Sequence, residues 1–153
     1  QIEFKGRSFA GASVHNYGIV ETGDIVYTKS PLKSNPYGII KVNKGKTGIV
    51  STLYAIYKVN NNTANGTFLD YYFQLDDNTN QYLRPLVRKG AKNDMKINNK
   101  HVLSDNILIP SIIAEQQKIA DFLSSIDKKL SLLEQQIAKT KQYKKGLLQQ
   151  MFV

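Results

Sequence analysis

The chain of 153 residues contains no cysteine and no tryptophan, and its only histidines are His15 and His101. Without thiols it has no disulfide and no thiolate nucleophile, and two imidazoles far apart in sequence do not make a structural zinc site. The absence of disulfides fits cytoplasmic residence. No apolar run approaches the roughly 18 residues that a membrane-spanning helix needs. The first residues, QIEFKGRSFAG, lack the apolar centre of a signal peptide. They also lack an initiating Met and begin on a strand-like run, as a fragment of a longer protein would. The chain has only four prolines, none after Pro110, and no glycine falls between Gly90 and Gly146.

Catalytic signatures are missing too. There is no glycine-rich phosphate loop of the GxGxxG or Walker type, and no nucleophile elbow with a histidine partner. Asn35-Pro36-Tyr37 shares three residues with the Asn-Pro-Pro-Tyr tetrapeptide of amino-methyltransferases. It lacks the second proline, and no cofactor-binding glycine loop precedes it, so the match is accidental. The one pair of adjacent acids, Asp76-Asp77, stands next to Asn78 and reads as a solvated turn rather than a general acid/base pair. These absences argue against an enzyme and call for no cofactor.

What is present is a helix of unusual length. Beyond Pro110, one set of residues (Ile119, Ile126, Leu133, Thr140, Leu147) recurs every seven positions. A second set (Leu123, Leu130, Ile137, Lys144, Met151) interleaves with it at spacings of four and three. This is the a/d pattern of a coiled coil, with Thr140 and Lys144 the polar departures. A helix over residues 111–153 would run about 60 Å at 1.5 Å per residue. Its stripe requires a second helix, in this chain or in another copy. Ser111 is a candidate N-cap, and Ser124-Ser125, with Asp127 at capping-box spacing, is a candidate break.

The remaining 110 residues suffice for one modest core. The net charge is +9. Basic and acidic residues number 14 and 8 up to residue 110 and 7 and 4 after it, so both parts are basic, by +6 and +3. A uniformly basic chain commonly meets a polyanion. Strands are expected over 25–28, 38–42 and 49–59, with shorter ones over 95–97 and 107–109. Helices are expected around Phe68, Leu69, Tyr72, Phe73 and Leu75, and around Tyr82, Leu83, Leu86 and Val87, with Pro85 in the first turn of the latter. Two exposed basic loops offer a binding surface. The first carries Lys29, Ser30, Lys33, Ser34, Asn35 and Tyr37; the second carries Arg88, Lys89, Lys92 and Asn93. Lysine and arginine suit phosphates, and Ser and Asn suit phosphates or base edges. A coiled-coil DNA-binding regulator or a non-enzymatic interaction scaffold fits this composition as well.

Ile109-Pro110, Glu115-Gln116, Ile119, Phe122-Leu123 and Asp127, with the ending Lys144-Lys145-Gly146-Leu147-Leu148-Gln149-Gln150-Met151-Phe152, resemble the long conserved helix of specificity subunits of type I restriction-modification enzymes. Gly23-Asp24-Ile25-Val26-Tyr27, Gly48-Ile49-Val50-Ser51 with Tyr54, and Val87-Arg88-Lys89-Gly90-Ala91 resemble the second half of the target recognition domain before that helix. The resemblance implies an α+β chain. An irregular, twisted, β-rich recognition domain with short helices would occupy residues 1–110, shortened at its N-terminal end, and one long coiled-coil helix residues 111–153. It implies a non-catalytic subunit that reads half of a bipartite site on double-stranded DNA. That subunit would dock a methyltransferase subunit, and through it a restriction subunit. With one helix, the chain would homodimerise through Ile119, Leu123, Ile126, Leu130, Leu133, Ile137, Leu147 and Met151. About 25 helical residues between two such domains would set a spacing of roughly 35–40 Å, near one turn of B-DNA.

Overall fold

A computed structural model describes residues 15–89 and 95–152. The chain divides into two compact units, residues 1–117 and 118–153. The first is α+β, built on small antiparallel sheets. β2 (Ile25–Thr28) is the centre of a three-stranded sheet, flanked by β3 (Ile39–Val42) and β5 (Tyr54–Tyr57). Its register aligns Tyr27 with Ile40 on one side and Ala55 on the other, and all three are buried. This cross-strand row of an aromatic, a β-branched and a small residue is the heart of the sheet. β1 (Gly18–Val20) pairs with β4 (Gly48–Val50) in a separate two-stranded ribbon.

α1 (Gly66–Gln74) packs against β3 and buries Phe68, Leu69 and Phe73. Asn65 caps it: its Oδ1 accepts from the Phe68 N–H at 2.9 Å. α2 (Asp76–Leu83) follows after the single residue Leu75 and ends on the fully buried Leu83. β6 (Arg88–Lys89) and β7 (Met95–Lys96) form a short antiparallel pair. A 3-10 turn spans His101–Leu103. α3 (Ile113–Met151) is a continuous helix of 39 residues, about 58 Å long.

Several sequence expectations need correcting. The run 49–59 is two strands rather than one. Ser51 turns the chain, its carbonyl accepting from Tyr54 N–H at 3.0 Å, because β4 and β5 belong to different sheets. Asp76 and Asp77 occupy the first turn of α2, where carboxylates suit the helix dipole, and do not form a solvated turn. Pro85 lies past the end of α2 rather than in a first turn. Its ring cannot continue the helix, and the N–H groups of Leu86 and Val87 close instead on Leu83 O. Residues 107–109 form no strand, and Leu108 is 94% exposed. α3 begins at Ile113, with Glu115 and Gln116 N–H both reaching Ile112 O, so Ser111 stands before the cap position. Nor does α3 break at Ser124-Ser125. The Ser125 hydroxyl donates back to Phe122 O at 2.7 Å, which satisfies the side chain within the helix.

Candidate nucleic-acid interface

The loop 29–37 connects β2 to β3, and three internal contacts shape it. The N–H groups of Leu32 and Gly38 both reach Asn35 O, at 3.0 and 3.1 Å, folding the loop on itself. The Tyr27 hydroxyl rises from the sheet and donates to Tyr37 O at 2.8 Å. Burial, and then the neighbouring Tyr57, push that hydroxyl up to about 12, so it remains a donor across the accessible pH range. The loop returns to the sheet through Gly38, whose φ is +102°. A Cβ at this position would stand 2.1 Å from Thr28 O, so the sharp entry into β3 requires glycine.

Two further bonds fasten the loop to α2. Asn35 Nδ2 donates to Asp76 Oδ1 at 2.8 Å, and Asn80 Nδ2 donates to Ser34 O at 2.9 Å. Between loop and helix lies an open groove of about 440 Å³. Lys33, Ser34, Pro36 and Tyr37 line it from the loop; Asp77, Asn80, Gln81 and Arg84 line it from α2.

The first set of sequence candidates therefore divides. Ser30, Lys33 and Ser34 are exposed, and Lys29 and Tyr37 are half-buried. Asn35 is buried and its amide is committed to Asp76, so it shapes the loop instead of presenting a surface. Of the second set, Arg88 is exposed at the start of β6 and Lys89 follows it; Lys92 and Asn93 lie outside the described residues. Sequence reasoning missed Asp77, Asn80 and Gln81. Their spacing with Arg84 (positions 77, 80, 81 and 84) is that of one helix face, but the signal was hidden by reading Asp76-Asp77-Asn78 as a turn.

The buried Asp70 of the first unit has a structural task. Asp70, on α1, accepts from the Val42 N–H of β3 at 3.0 Å and from Gln74 Nε2 at 3.2 Å, and pairs with Lys44 Nζ at 2.7 Å. Burial pushes its carboxyl up. The Lys44 ammonium, the Val42 N–H and the Gln74 amide outweigh that and hold it below the usual carboxylate range. Lys44 also lies 5.2 Å from the centre of the Tyr71 ring. Among the described residues, no three His, Cys, Asp or Glu side chains converge as a metal site would require. No helix among the described residues is long and apolar enough to cross a membrane.

The stripe residues of α3 differ in exposure. Ile119 and Leu123 are half-buried. Leu130, Leu133 and Ile137 are 53%, 54% and 54% exposed, and Ile126, Leu147 and Met151 are exposed too. Thr140 returns its hydroxyl to Gln136 O at 2.9 Å, which lowers its polarity at its seam position. The beginning of α3 is anchored in the first unit by a fully buried amide. Gln116 Oε1 accepts from Asn65 N–H at 2.8 Å, while its Nε2 donates to Pro110 O at 2.7 Å and Thr63 O at 3.4 Å.

A basic α+β unit with a cationic loop, followed by a long helix that carries a heptad stripe, is the class of protein that the fold defines. The family comparison narrows the class. Residues 13–142 match the model of the type I restriction modification DNA specificity domain, so the chain belongs to that family and is a specificity subunit. No curated protein and no solved structure gives a match to the chain.

Proposed function

We propose that this specificity subunit recognises one half of a bipartite DNA target and docks a methyltransferase subunit, while performing no chemistry itself. Residues 1–110 read DNA, and residues 111–153 pair with a second copy and present the docking surface. The observation that carries this reading is the exposed stripe from Ile126 to Met151 on a 39-residue helix. An unpaired stripe of that length is stable in water only when another helix covers it, and a second copy supplies an identical one. Two copies joined in this way carry two reading units, which suits a two-part target.

Lys29, Ser30, Lys33, Ser34 and Tyr37 form the DNA-facing part of the first loop, and Asn35 holds it in shape. Arg88, Lys89, Lys92 and Asn93 form the second contact. Lysine and arginine neutralise phosphates with release of counterions, and the shorter polar side chains meet base edges or the backbone. Adenine methylation, cofactor binding and cleavage belong to the partner subunits, and the complex works in the cytoplasm.

The test is co-purification with a cognate modification subunit, followed by binding of the complex to duplex DNA carrying its methylated site. Capture of that subunit and selective binding are the expected results. Failure to capture it would sink the docking assignment, and equal binding to unrelated duplexes would sink the reading assignment.

A further inference from the structure

Loop 29–37 is not a separate arm. Asn35 bonds to Asp76 at the start of α2, and Asn80 bonds to Ser34, so the loop and helix form one braced edge. Any surface that meets the loop also meets the exposed face of α2.

The groove between them carries two cations, Lys33 and Arg84, and one carboxylate, Asp77. A seat for phosphate alone would be poorly served by a carboxylate, which repels it. Base edges are different. Glutamine pairs bidentately with adenine, and a carboxylate accepts from the cytosine amino group. Gln81 is exposed and lines the groove, flanked on its helix face by Asp77 and Arg84. Beside it, Asn80 braces the groove wall. Its Nδ2 is taken by Ser34 O, while its Oδ1 is buried without a hydrogen-bond partner.

We propose that α2 belongs to the reading surface, with Gln81 contacting the edge of an A·T base pair in the major groove while Lys33 and Arg84 anchor the flanking phosphates. Asp77 acts as a discriminating group: it accepts from an amino edge and repels a phosphate that enters out of register. This assignment rests on the DNA-reading role given above. It adds to that role a helix face that the basic loops alone do not include.

Selection of bound duplexes from a randomised pool tests it, using the full chain in complex with its modification subunit. The wild-type complex is expected to enrich one motif. Gln81→Ala is expected to relax preference about tenfold at a single A·T position and leave the other positions unchanged. Gln81→Glu is expected to shift that same position toward cytosine, a gain that loss of folding does not mimic. Lys33→Ala and Arg84→Ala are expected to weaken all sequences alike and to reduce the salt slope by about one each. An unchanged motif with both Gln81 variants, or a uniform loss over all positions, would overturn the assignment and leave the loop reading intact. Failure of the wild-type complex to enrich any motif would overturn the DNA-reading role itself, and this assignment with it.

Discussion

Gln116 shows how one buried polar side chain can couple distant segments. It is fully buried and serves three backbone groups from positions 63, 65 and 110. Gln116→Ala leaves the Asn65 N–H and the Pro110 carbonyl without partners, and the expected cost is about 3 kcal/mol in denaturant unfolding. Gln116→Glu keeps an acceptor for Asn65 but cannot donate to Pro110, so it is expected to recover only part of that loss. Asp70 acts by charge. Asp70→Asn removes the pair with Lys44, which is 54% exposed on its side chain and so remains hydrated, and the expected cost is about 2 kcal/mol at pH 7. The folded carboxyl lies below its ordinary 3.8, so the unfolded chain binds the proton more readily. Its contribution is therefore complete above about pH 5 and is lost as the pH falls through the folded value. Melting wild type and Asp70→Asn at pH 7 and pH 3 checks this: the gap between them is expected to narrow at pH 3. The position of Gln116 in a recognisable signature was legible in the sequence. Its three partners were not, because they come from segments more than fifty residues upstream and from a proline carbonyl.

At the scale of elements, α3 is the most readable part of the chain. Its heptad spacing is local, and a helix of 39 residues without an internal proline needs no tertiary help to be recognised. Leu130→Lys or Leu133→Lys places a charge at the centre of the stripe. Either is expected to convert a dimer near twice 17.3 kDa into a monomer in light scattering while the melting of the first unit is retained. Loss of both together would show that the stripe belongs to the core of the first unit. The short elements were harder to read. The run 49–59 looks like one strand because most of its residues favour strand, but pairing sends its halves to β1 and β2. α2 was obscured because Asp, Asn and Thr serve turns and helix starts equally well. The choice between the two was made by Thr79, whose hydroxyl donates to Phe73 O at 2.7 Å, and by the burial of Leu83.

For the whole molecule, the decisive quantity is charge. A net +9 on 153 residues is expected to give the proposed DNA binding a steep dependence on salt. Lys29→Ala is expected to weaken binding to all duplexes and to lower the slope of log K against log salt by about one. Titrations at several salt concentrations measure this, and an unchanged slope would remove Lys29 from the contact. The seam and the basic surface are expected to act together, since pairing two copies doubles the number of cations that a single DNA molecule meets.

The sequence by itself determined the basic balance, the absence of thiol chemistry, the family resemblance and the length and stripe of α3, because each is set by composition or by spacing along the chain. Tertiary structure decided which residues of the basic loop face outward. Asn35 has the right chemistry for reading a base, yet its amide is drawn inward by Asp76, 41 residues later. Gln81 and Arg84 stand outside the loop in sequence, yet line the same groove as Lys33 and Tyr37. Hydrogen bonds between residues far apart in the chain govern both outcomes, and such pairs leave no periodic trace in a single sequence.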